Sequence, residues 1–249
     1  MTLIQSRVEN PPSSMRTSSM REDRRLIAPI GNTVLLIAII LLMTAYGMYA
    51  QHNAGSNTQL VEHRGSALPL YLGLIVGEWA LFRLVLAGLR RSGTRMSDVI
   101  GRPWVNWKGI VRDVVLALGV WATWSGAEAL ITRFLGPDTA KGVDTLLPRG
   151  VAEIAAWVAL SVSAGICEET VFRGYLQQQI KAFSGSVVVA ILAQALLFGI
   201  SHGYQGVRNI MLITVLGGIY GLMAHWRRSL KPGMIAHAWT DVFSGLLAR

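Results

Sequence analysis

The chain has 249 residues, a formal net charge of +9, 52% hydrophobic residues and only 15% charged ones. Soluble chains average roughly 25% charged residues. Here the charges gather in short clusters between long apolar runs, which is a membrane pattern and not a soluble one. The basic excess does not point to nucleic acid, because Lys and Arg sit mostly at segment ends instead of along one soluble face, and the single cysteine, Cys167, excludes an internal disulfide framework.

Residues 1–25 carry a Pro pair, many Ser and Thr and no periodic apolar face, so they read as a disordered or surface-bound tail on the cytoplasmic side. The first long apolar run starts only near Leu26, which predicts an uncleaved first span in place of a signal peptide. Seven candidate spans follow, at 26–49, 68–89, 110–132, 151–180, 184–202, 207–226 and 232–247. A helix needs about 20 residues to cross the hydrocarbon core, so the last run is short and the fourth too long to lie wholly in it. The expected fold class is an all-α polytopic helix bundle. Its organisation divides into the tail, N-terminal transmembrane helices and loops over 26–149, and a chemically active core over 150–249.

Basic residues favour alternate links. Arg21, Arg24 and Arg25 precede the first span, Arg90, Arg91, Arg95, Arg102 and Lys108 follow the second, Lys181 follows the fourth, and Arg227, Arg228 and Lys231 follow the sixth. The positive-inside rule assigns that side, and the N-terminus, to the cytoplasm. The 90–108 link, basic and holding Trp104 and Trp107, suits the membrane interface, and the 133–150 link, with Gly136, Pro137, Gly142 and Pro148, reads as an external loop. Glu78, Arg83 and Glu128 interrupt the second and third runs, where pairing or helix contacts explain them without catalysis.

The stretch from Ala164, AGICEETVFRGYLQQQI, carries two adjacent carboxylates in an apolar helix. Glu169 and Arg173 are four apart and share a helix face. Glu168 points roughly 100° away, which permits one Glu to anchor the helix while the other does chemistry. Alone, the stretch reads equally well as an intramembrane ion-pair lock. Cys167 beside it reads as packing. In LLFGISHGYQG, Phe198 and His202 share a face just before Gly203, and in MIAHAWTDVF, His237 and Asp241 are again four apart. That pair can bind a metal, or Asp241 can orient a proton-exchanging histidine. Together the three stretches bring two Glu, one Arg, two His and one Asp onto apolar helices, where each is costly to bury without a purpose. The inventory suits hydrolysis by activated water. Helix arithmetic gives Glu168 about 20 Å from Lys181, His202 about 24 Å from Ser186 and His237 about 9 Å from Lys231. Equal depth therefore requires the fourth helix to extend past its neighbours near Gln177–Lys181, which would bring the site nearer the cytoplasmic face.

These segments resemble the CPBP family of intramembrane prenyl-protein endopeptidases and bacteriocin-processing or immunity proteins. Its signature of two Glu, three residues and Arg matches Glu168, Glu169 and Arg173, with Phe172, Gly174 and Tyr175 in the same flavour. Phe, three residues and His matches Phe198 and His202. His, three residues and Asn or Asp matches His237 and Asp241, where Asp stands for the commoner Asn. The likeness covers about residues 150–247, and the first three spans match only in general character. The resemblance implies peptide-bond hydrolysis with Glu168 as base. It implies His202 and His237 as metal ligands or oxyanion donors, Asp241 completing that set, and Glu169 and Arg173 stabilising the site. A divalent metal, zinc by donor chemistry, on His202, His237 and Asp241 is left open, and the absence of an HExxH motif argues against a conventional zincin. The implied substrate is a membrane-associated or prenylated protein or peptide, and the implied location is the bacterial inner membrane. A transporter or channel using the same groups as an ion path, or a noncatalytic bacteriocin-resistance scaffold, are the competing readings.

Overall fold

The computed structural model describes residues 25–55, 65–136 and 146–247. The expected tail therefore lies outside the described residues except for Arg25, as does half of the 133–150 link, residues 137–145. Seven principal helical runs appear. They are α1 (Ile30–Gly55), α2 (Leu68–Arg91), α4 (Trp107–Leu135), the composite run α5 (Gly150–Glu168), a π-helical segment (Glu169–Leu176) and α6 (Gln177–Ser184), then α7 (Val187–Ser201), α8 (Val207–Arg227) and α9 (Lys231–Leu247). A one-turn helix, α3 (Met96–Ile100), lies in the basic link. Among the described residues there is no strand. Five of the runs are long and apolar enough to cross a membrane, the composite run spanning 35 residues, while α7 is shorter. Their outer faces carry Val34, Leu42, Val76, Val115, Leu192 and Leu222 in the open, which only a lipid solvent rewards. This is an integral membrane protein.

Helix ends are set by local chemistry. Ser186 Oγ accepts from Val189 N to start α7, after Gly185 closes α6 in the left-handed region at φ 70°. Asn106 Oδ1 accepts from Gly109 N to start α4. At the other end of the bundle the buried Glu153 carboxylate takes hydrogen bonds from Ala67 N and Arg149 N, both at 2.8 Å, and from Ser66 Oγ. It thus ties the start of α2 to the start of α5.

The basic links meet at one end. Gln179 bonds the backbone of Ile27 and Ala28, Arg91 Nη1 donates to Asn32 Oδ1, and Leu230 N donates to Ile100 O. Arg227 and Trp104 both donate to buried Asp113. At the opposite end Arg208 reaches Gly136 O, joining the start of α8 to the end of α4. The helix ends therefore alternate along the chain as the charge pattern predicts. Val105 is 95% exposed and Trp107 66% in the basic link, as suits an interface.

The polar run at Gln177–Gln179 serves the protein interior. Gln177 and Gln179 are buried and spend their amides on Gly221 O and on the start of α1, since buried backbone carbonyls need donors. The fourth run nevertheless extends past α9. Leu230, just before α9, clusters with Val171, Phe172 and Tyr175, so Gln177–Ser184 projects beyond that level. The run is also not one continuous α-helix. Gln177 N donates to Phe172 O, five residues back, in the π register.

Candidate functional site

Glu168 closes α5 and Glu169 opens the π segment, whose eight residues are all buried. Such i→i+5 bulges inside α-helices recur at functional sites. Here the change of register occurs at the two carboxylates. Glu169 turns fully inward and meets Arg173 Nη1 at 2.9 Å, with neither side chain exposed. The guanidinium lies 4.0 Å over the Phe198 ring and 5.3 Å from that of Tyr220. A buried cation needs such an anion and π-faces to repay its lost hydration.

Glu169 makes a second contact. His237 Nδ1, on α9, stands 3.1 Å from Glu169 Oε1. A carboxylate only accepts, so this bond puts a proton on Nδ1 and turns Nε2 toward the open part of the site. Gly233, one turn earlier on α9, makes the approach possible, because a Cβ there would stand 2.8 Å from Glu169 Oε2. Beyond the ring, His237 Nε2 faces Asp241 Oδ2 at 3.5 Å and Glu168 Oε2 at 3.8 Å.

His202 caps α7. Its Nδ1 lies 2.8 Å from Phe198 O, again fixing the proton there, and its Nε2 faces Glu168 Oε2 at 4.0 Å. Phe198 packs edge-on against both imidazoles, with centroids at 4.8 and 5.7 Å, and Tyr220 stacks on His237. The rings are thereby held on aromatic walls. Among the described residues Glu168 Oε2 has no hydrogen-bond partner.

The structure thus brings Glu168, Glu169, Arg173, His202, His237 and Asp241 together from three segments. A residue that sequence reasoning set aside joins them. Glu78, on α2, lies beside Ser163 and within electrostatic reach of Glu168, His237 and Asp241, and among the described residues its buried Oε2 has no hydrogen-bond partner. Arg83 and Glu128, which looked equivalent in sequence, are exposed. The position of Glu78 within an apolar run was its only signal, and Glu128 shares that.

A tetrahedral zinc bonded at about 2.0–2.1 Å holds its ligand atoms about 3.4 Å from one another. Within the expected set His237 Nε2 stands 3.5 Å from Asp241 Oδ2, and the separations of 3.8 and 4.0 Å are those of the two imidazoles from Glu168. Among the described residues no three His, Cys, Asp or Glu side chains are grouped to hold a metal ion. No step below is routed through an ion.

Fold and site together define a polytopic α-helical membrane protein with a polar cluster built inside its C-terminal helices. Residues 150–243 match the family model described as type II CAAX prenyl endopeptidase Rce1-like, the family of intramembrane proteases that the three motifs resemble. The match begins with α5 and ends just past Asp241, so it takes in every motif residue and leaves α1, α2 and α4 outside. No curated protein and no solved structure matches the chain.

Proposed function

We propose that this protein is an intramembrane endopeptidase that hydrolyses a peptide bond of a prenylated or otherwise membrane-associated substrate, with Glu168 as the general base. The observation that carries the reading is the convergence of His202 Nε2 and His237 Nε2 on Glu168 Oε2, at 4.0 and 3.8 Å. His202 Nε2 and Glu168 Oε2 are both acceptors. Two hydrogen bonds of about 2.8 Å meeting near 90° span about 4 Å, so one water can donate to both.

In the reaction, Glu168 takes a proton from that water as its oxygen attacks the scissile carbonyl carbon. The proton then passes from Glu168 to the departing amine. As an imidazolium, with Nδ1–H given to Glu169, His237 is the group placed to donate its Nε2–H to the carbonyl oxygen as it becomes anionic. Glu169 and Arg173 do not touch the reacting atoms. They hold the ring at Nδ1.

The end of the bundle that gathers Arg90, Arg91, Arg102, Arg227 and Lys231 is assigned to the cytoplasm by the positive-inside rule. The test uses purified protein in lipid vesicles with a farnesylated peptide carrying three residues after the modified cysteine, beside its unmodified counterpart. Cleavage by the wild type, lost in Glu168→Gln, supports an enzyme. Equal cleavage by both, or by neither, returns the field to a transporter or a scaffold.

A further inference from the structure

Both imidazoles of the site are held at Nδ1. Glu169 holds His237, and Phe198 O holds His202. Asp241 is placed differently, with a side chain 35% exposed that faces His237 Nε2 at 3.5 Å. Its placement therefore depends on where its main chain sits.

That main chain is gripped from α5. Trp157 Nε1 donates to Asp241 O at 2.9 Å. The indole packs closely on the backbone beyond it, since a Cβ on Gly245 would stand 2.3 Å from Trp157 Cε2 and Nε1. No side chain other than hydrogen fits that position. Behind the indole, Tyr71 packs edge-on at 5.6 Å and donates its own hydroxyl to Leu146 O. On the far side of α9, Trp121 meets Trp239 and Phe243 at 6.4 and 5.3 Å. The second half of α9 is thus clamped between two tryptophans, and Trp157 adds a directional bond to its backbone.

Helix side chains lean toward the N-terminus, so the Asp241 carboxylate reaches back one turn to His237. A small slip or rotation of α9 carries Oδ2 away from Nε2 while leaving the helix intact. We propose that Trp157, outside all three motifs, is a positioning residue that sets the register of α9 so that Asp241 meets His237. This rests on the peptidase reading above and on Asp241 acting in it.

The test compares Trp157→Phe, which keeps a ring and deletes the donor, with Leu89→Ala, a cavity variant in the core at the basic end. Both are assayed for thermal unfolding and for cleavage of the farnesylated peptide. We expect Trp157→Phe to lower kcat about tenfold with KM changed by less than about twofold, as small misplacements of reacting groups do. Leu89→Ala should unfold earlier with kcat intact. An unchanged kcat in Trp157→Phe overturns the inference, as does a kcat loss of the same size in Leu89→Ala. If the wild type cleaves neither peptide, the peptidase reading fails and this inference falls with it, a result distinguishable from either.

Discussion

Glu169→Ala probes the most heavily committed interaction in the protein. Glu169 and Arg173 are both fully buried at 2.9 Å, and the same carboxylate oxygen bonds His237 Nδ1 at 3.1 Å. Removing one partner of a buried ion pair strands the other charge, which costs about 3–5 kcal/mol. The lost imidazole bond adds about 1–3 kcal/mol if Nδ1 finds no other acceptor, and the two costs overlap because the sites are coupled. We expect Glu169→Ala to lose at least about 3 kcal/mol in equilibrium unfolding in mixed micelles. The double variant Glu169→Gln with Arg173→Met removes both charges and keeps the volume. It should recover most of the stability, because no bare charge remains, yet stay poorly active, because His237 has lost its carboxylate. If Glu169→Ala unfolds with the wild type, the pair is not the lock described here. If the neutral double variant has full activity, Glu169 does not position His237.

Glu153→Ala should destabilise by about 1–3 kcal/mol without changing kcat, since it strips a buried acceptor from Ala67 N and Arg149 N far from the reacting groups. Unfolding and cleavage assays on one preparation check both halves. Incubation with a strong chelator should leave cleavage of the farnesylated peptide intact, because among the described residues no three His, Cys, Asp or Glu side chains are grouped to hold an ion. Loss of activity on chelation, restored by zinc with one equivalent bound, would make His202, His237 and Asp241 ligands after all.

The seven runs were legible because apolar length leaves few alternatives in a membrane. Their ends were less so. The first helix continues to Gly55, beyond the apolar stretch, because Ala50 to Gly55 still favour helix over exposure of backbone. The grouping of Glu168, His202, His237 and Asp241 was legible in outline, since buried ionisable groups must find one another. The π register at Glu169–Leu176 was not, because no residue pattern separates i→i+5 from i→i+4 bonding. Nor was the bond from Glu169 to His237. Helix arithmetic showed the pair with Arg173 on one helix, but a contact between helices depends on how closely Gly233 lets them cross. Glu78 was indistinguishable from Glu128 in sequence, and only the packing of α2 on α5 turns one inward.

The central claim is that Glu168 activates water opposite two imidazoles, and one comparison tests it most directly. Wild type and Glu168→Gln are reconstituted side by side, their folds matched by thermal unfolding, and cleavage of the farnesylated peptide is followed by mass spectrometry. Glutamine keeps the shape and removes the base, so the account predicts an unaltered unfolding transition and a rate lower by about 10²–10⁴-fold. A folded Glu168→Gln protein that cleaves at the wild-type rate would contradict it.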